Sequence, residues 1–484
     1  MPELVFSSGD KRETDRIYHL VRTGKLRKIA PKLYSSNLID DPKKIVRDHL
    51  YEILGRRFPR AVLSHRTALE GKPSANGTVF LTYTYTKKFR LPGHTIRVLK
   101  GPGPVSGDTL FMGRLHIASR QRAFLENLQP SRGRGPDAKS VSREELEERL
   151  DRIVRIHGEA GLDALRDQAR TAAAETGMGS EFEKLGGIIG ALLRSRPAGG
   201  LRSAVSRARA TGEPFDPDRV RLFETLFAAL RDSEFPRVPE PHRDSVALGN
   251  LAFFEAYFSN YIEGTRFEVE AAREIVFDGK IPPARPDDAH DILGTYRVVS
   301  SREEMRKLPK NAAEFLALLR ARHETLLASR RDKNPGEFKD APNRAGDTLF
   351  VAPELVGGTL IRGFEFYKPL ESPLARAMYA MFLISEVHPF NDGNGRIARV
   401  LMNAELVKTD ERRIIIPTVF RDDYLGALRA LSRQGRPEPY IRMLAKAREF
   451  SAALDFSDFN SAKSALERAN AFREPGEATL AYGS

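Results

Sequence analysis

The stretch HPFNDGNGRIAR at residues 388–399 constrains the local fold more than any other part of this chain. Ser372 and Pro373 fit the cap and first turn of a helix that runs to Val387. The chain must then turn through glycine-bracketed residues and start a second helix near Asn394 that continues through Val407. Ile397, Val400, Leu401 and Ala404 mark the inward face of that second helix, and Arg396, Arg399 and Asn403 its outward face. Gly393 and Gly395 allow a ligand close to the backbone, and a helix start supplies free N–H groups and a positive dipole. Two arginines over such a pocket suit a di- or triphosphate better than a single carboxylate.

Asp392 beside phosphates is a candidate ligand for Mg²⁺, whose shell is completed by phosphate oxygens and water. His388 can serve as base for a hydroxyl nucleophile. Base, metal, amides and arginines together point to transfer of a phosphate-linked group to an alcohol.

These residues resemble the signature of Fic-domain proteins, HPFx[D/E]GNGRxxR, at every fixed position. The resemblance covers roughly residues 245–450 and implies a compact helical bundle with a β-hairpin flap. The activity it implies is transfer of AMP from ATP to a Ser, Thr or Tyr hydroxyl of a protein target that the sequence leaves unidentified. By position, His388 becomes the general base, Asp392 the Mg²⁺ ligand and Phe390 the core anchor of the loop. Gly393, Asn394 and Gly395 cradle the α- and β-phosphates, Arg396 meets the β-phosphate region and Arg399 the γ-phosphate. Upstream, SNYIEG (259–264) is similar to the family's inhibitory motif. Ser259 and Glu263 share a helix face, and the resemblance implies that Glu263 pairs with Arg399 in the place of the γ-phosphate. Its position ahead of the signature resembles the subclass with an N-terminal inhibitory helix, and the family also permits such a glutamate to assist removal of AMP. The hairpin expected at 343–353, NRAGDTLFVAP, falls where the target-binding flap belongs.

Charge divides the chain unevenly. Of the net +13, residues 1–135 carry +15 and the remainder −2, which suggests that the first segment meets a polyanion, most often nucleic acid. Ile17, Leu20 and Val21 predict a helix ended by Gly24, followed by a small hairpin over Leu26–Ile29 and Leu33–Ser35. Arg12, Arg16, Arg22, Lys25, Arg27 and Lys28 stud this unit as candidate DNA contacts. With SHRTALEG (64–71) as a short helix, the segment resembles the winged-helix module of abortive-infection-type antitoxins. TVFLTYTYTKKFRLPGHTIRVLKG (78–101) reads as two strands joined by a Lys/Arg turn.

The expected class is mainly α, with an α+β module in front. Residues 1–135 form the basic module, 136–240 a helical connector, 241–455 the Fic domain with its inhibitory helix, and 456–484 a helix with a loose tail. In the connector, Ser142 and Glu145 make a capping box for a helix ending near Gly158, and Asp216 caps another. SEFPRVPEPH (233–242) reads as a linker. The chain has no cysteine, so disulfides and thiolate metal sites are excluded. The opening MPELVFSSGDKR lacks a leader pattern and no apolar run reaches membrane-spanning length, so a cytoplasmic chain without a membrane partner is expected. Apolar faces in the connector leave room for a homodimer. Two other readings remain open: an ATP-responsive transcriptional regulator that uses the fold as a sensor, and a Fic-type phosphotransferase.

Overall fold

The computed structural model describes residues 3–8, 10–241 and 244–481. Contacts divide the chain into two compact units, residues 1–212 and 213–484.

The first unit begins with an antiparallel sheet of β1 (Leu4–Phe6), β2 (Arg27–Ala30) and β3 (Leu33–Ser35), in the order β1-β3-β2. Between β1 and β2 runs the helix Lys11–Arg22, whose start is capped by Asp10 accepting from the Glu13 N–H and whose Ile17 is buried. A mixed sheet follows, built of β4 (Val62–Leu63), β5 (Thr78–Tyr83), β6 (Lys87–Leu91), β7 (His94–Lys100), β8 (Thr109–Met112) and β9 (Leu115–Ile117). Its order is β6-β7-β5-β4-β9-β8. Residues 78–101 therefore hold three strands where two were expected. The tight turn is Pro92-Gly93, with Gly93 at φ 78°, so Lys87 and Lys88 open β6, and β5 pairs parallel to β7.

The rest of the first unit is helical. Ser142 accepts from the Glu145 N–H at 3.1 Å, as the capping box predicts. The helix runs on to Thr176 through a break at Gly158, which takes φ 67° and ψ −173°.

The second unit is a helical bundle. The capped helix Pro217–Arg231, expected in the connector, buries Phe223, Leu226 and Leu230 in this unit's core beside Leu360, Tyr379 and Phe382. The proline-rich stretch expected as a linker is also held here. Pro239 bridges Glu411, the Arg412 N–H donates to the Val238 carbonyl at 2.8 Å, and Arg412 pairs with Glu240. His242, its last residue, lies outside the described residues.

The tail expected to be loose is docked as far as Ala481. Glu474 accepts from the Tyr261 hydroxyl and pairs with Arg266, and the Ala481 N–H donates to the Ala469 carbonyl. Residues 482–484 lie outside the described residues. Among the described residues no helix is long and apolar enough to cross a membrane.

Candidate active site

Two helices, Pro373–Val387 and Asn394–Lys408, lie together in the middle of the second unit and carry the 388–399 loop between them. Ser372 caps the first helix by accepting from the Ala375 N–H. His388 ends it in the left-handed region at φ 53°, ψ 59°, a conformation that non-glycine residues hold only when their surroundings enforce it. Gly393, at φ 74°, starts the second helix.

Three sets of contacts enforce the turn. Asn394 clasps Phe390: the Phe390 N–H donates to Oδ1 at 2.9 Å, and Nδ2 donates to the Phe390 carbonyl at 2.8 Å. Phe390 is fully buried and stacks on His323, with ring centroids 3.6 Å apart. His323 Nδ1 accepts from the Gly336 N–H, so its Nε2–H donates to the Asp392 carbonyl at 3.0 Å. Burial pushes His323 down to about 4, which keeps it the neutral donor that this geometry needs.

The third set comes from the segment leading into the flap. Lys339 and Asn343 take four consecutive carbonyls of the loop. Lys339 donates from its backbone N–H to Pro389 at 2.8 Å and from Nζ to Val387 at 3.4 Å. Asn343 Nδ2 donates to Phe390 at 2.9 Å and to His388 at 3.5 Å. Lys339 Nζ also donates to Asn343 Oδ1 at 2.6 Å, and burial lowers its pKa to about 8. Neither His323, Lys339 nor Asn343 stands out in the sequence.

The His388 ring stacks on Phe350 with centroids 3.8 Å apart. Its Nδ1 lies 3.4 Å from the Ser385 carbonyl, an acceptor only, which places the proton on Nδ1 and the lone pair on Nε2. Burial, with the Lys339 charge adding to it, pushes the imidazole down to about 4.

The side of the loop that faces the helix Ser245–Ile262 is cationic but occupied. Arg396, Arg399 and Asn403 do not face outward; all three are buried against the helix Ser245–Ile262 and its neighbours. Arg396 pairs with Asp291 at 3.1 Å and lies 3.5 Å from Asp392. Asn403 donates to Glu255, which Arg413 neutralises, and exchanges hydrogen bonds with the backbone of Ile414. Arg399 donates through Nε to Ser259 Oγ at 2.9 Å and through Nη2 to the Ser259 carbonyl at 2.8 Å and to Glu263 Oε1 at 2.7 Å. The helix carrying Ser259 ends at Ile262 with Glu263 as its C-cap, and Gly264 follows at φ 97°.

Glu263 also lies over the bare backbone of Gly395. A Cβ added at Gly395 would come within 2.0 Å of the Glu263 carboxylate, so the space that glycine leaves open is filled by an anion from this chain.

The hairpin forms as expected. Strands β10 (Arg344–Ala345) and β11 (Thr348–Leu349) pair around Gly346-Asp347, and Phe350 just beyond them is the residue stacked on His388. In the first unit Arg12, Arg16, Arg22, Lys25 and Lys28 are exposed, whereas Arg27 is half-buried with Nη1 3.5 Å from the Leu38 carbonyl.

Residues 315–406 match the Fic/DOC family model. The chain is 26% identical over 204 residues to protein adenylyltransferase fic-1 of Caenorhabditis briggsae, covering 41% of this chain and 40% of that protein. It is 28% identical over 231 residues to protein adenylyltransferase Fic of Drosophila persimilis, covering 45% and 44%. The alignment to fic-1 of Caenorhabditis elegans is 25% identical over 258 residues and covers 52% and 50%. The chain thus spans about half the length, or somewhat less, of the curated relatives it matches. The matched segment contains His388, Asp392, Arg396 and Arg399, while Ser259 and Glu263 lie ahead of it. The chain carries a Fic domain at residues 315–406.

Proposed function

We propose that the second unit is a protein adenylyltransferase that its own Glu263 holds in check. The observation that carries this reading is the placement of the Glu263 carboxylate over Gly395 and against Arg399, beside a histidine whose Nδ1 faces the Ser385 carbonyl and so leaves the lone pair on Nε2. In the proposed reaction the hydroxyl oxygen of a target bonds to the α-phosphorus of ATP. The bond from that phosphorus to the bridging oxygen breaks, and pyrophosphate leaves. His388 Nε2 takes the hydroxyl proton, and the Phe350 ring fixes the plane from which it does so. Lys339 and Asn343 hold the loop so that its amides need no rearrangement when phosphate charge builds up.

The donor set fits magnesium held mainly by phosphate and water. The Asp392 side chain is 42% exposed, and among the described residues no group of three or more His, Asp or Glu could hold a metal by itself. Bound at Asp392, the ion would neutralise phosphate charge. The exposed hairpin strand β10 is an edge on which an extended target segment can pair.

Residues 1–135 of the first unit are read as a DNA-binding module of winged-helix type, supported by their excess positive charge and by the exposed cations on the Lys11–Arg22 helix and the hairpin after it.

The test of the transfer reading uses the Glu263→Gly protein with magnesium and ATP labelled at either the α- or the γ-phosphate. Covalent label from the α position alone is expected. Label from the γ position would replace adenylylation with phosphotransfer.

A further inference from the structure

The first unit contains a groove of about 1460 Å³ that neither the motifs nor the family match accounts for. It exceeds the ~300–1,000 Å³ of an ordinary small-molecule pocket, so an extended ligand is the better fit. Six cations line it, Lys32, Arg56, Arg57, Lys87, Arg90 and Arg114, against one acid, Glu52. Glu52 is committed to Arg56 and His49. Lys32, Lys87, Arg90 and Arg114 are exposed, and among the described residues none of these four side chains has a carboxylate partner.

Aromatic rings are set among these charges. The Arg56 guanidinium lies 4.9 Å from the centre of the Phe6 ring and that of Arg57 5.6 Å from Phe89, with Arg57 also donating to the Pro31 carbonyl. Tyr85 is 45% exposed and packs edge-on to Tyr83, with centroids 5.3 Å apart and an interplanar angle of 83°.

Unpaired cations repel one another and gain most from a polymer that brings one phosphate to each. Ring faces between cations take unstacked bases, which a duplex keeps inside its stack. We infer that this groove binds single-stranded nucleic acid, with phosphates on Lys32, Lys87, Arg90 and Arg114 and a base on Tyr85. This rests on the reading of the first unit as a nucleic-acid module and moves the contact surface, because Arg12, Arg16 and Arg22 do not line the groove.

The experiment measures binding of the full chain to fluorescent oligothymidine by anisotropy across a salt series. Combined Lys87→Glu, Arg90→Glu and Arg114→Glu substitution is expected to weaken binding more than about tenfold and to flatten the salt dependence. Tyr85→Ala, a single exposed change that keeps the fold testable if the triple variant does not fold, is expected to lose about tenfold. Combined Arg12→Ala, Arg16→Ala and Arg22→Ala substitution is expected to bind like the parent, and duplex DNA to compete poorly.

If the arginine variant of the helix loses binding while the groove variants keep it, the groove assignment falls and the module reading stands. Absence of any nucleic-acid binding overturns both. Equal competition by duplex together with an unaffected Tyr85→Ala overturns the single-strand assignment.

Discussion

Glu263→Gly is expected to raise covalent incorporation from ATP by about ten- to a hundredfold over the parent protein, measured as self-labelling or as labelling of a cell extract. Glu263 Oε1 lies 2.7 Å from Arg399, and its carboxylate fills the space over Gly395. A triphosphate that reaches Arg399 must displace it. A charge-assisted hydrogen bond in a partly buried site contributes roughly 1.5–3 kcal/mol, which sets the size of the expected gain. The Glu263 side chain is 34% exposed, so solvent screens part of that contribution and the lower half of the range is the better expectation. Arg399 keeps its two bonds to Ser259 in the variant and stays oriented towards an incoming phosphate. Unchanged labelling would remove Glu263 as the brake.

His388→Ala in the Glu263→Gly background is expected to cut transfer by about 10²- to 10⁴-fold, the usual contribution of a positioned base, and to leave ATP affinity within about twofold. His388 closes the helix Pro373–Val387, but the loop's fixed points are the Phe390–Asn394 clasp, His323, Lys339 and Asn343, and all of them survive the change. The pH profile supplies a second readout. A base works only while its nitrogen is unprotonated, and burial holds His388 down at about 4. The acid limb of kcat/KM should therefore fall near pH 4 rather than near 6.5, with a flat region through neutrality. Full transfer by His388→Ala would end its assignment as the base.

Much of this site could be read from the sequence because its determinants are local. Ser372 and Pro373, Gly393 and the Gly346-Asp347 turn each set backbone geometry within a few residues, and the elements appear where those residues put them. The i, i+4 spacing of Ser259 and Glu263 likewise fixed which two side chains could meet one partner.

What escaped the sequence depends on packing between distant segments. The side chains that hold the 388–399 loop, those of His323, Lys339 and Asn343, make bonds to it across 45 or more residues and follow no periodic pattern. Arg396 and Asn403 look like surface residues by composition. They are buried because Asp291 and Glu255 reach them from two other helices. The same holds for topology: alternation marks β5 and β7 as strands but cannot show that they pair parallel, with β6 on the far side of β7. The packing of the proline-rich stretch is hidden for a related reason, since the backbone partners of Val238 and Glu240 lie at 410–412.

The central proposal is a triphosphate cradle at Gly393–Gly395 and Arg399, where the Glu263 carboxylate of the same chain now lies. A crystal structure of the Glu263→Gly protein with magnesium and a non-hydrolysable ATP analogue tests it most directly. The terminal phosphate is predicted to meet Arg399, with the preceding phosphates over Gly393–Gly395 and the α-phosphorus facing His388 Nε2. Nucleotide bound elsewhere, or lying in the loop with no phosphate at Arg399, would contradict both the chemistry and its restraint.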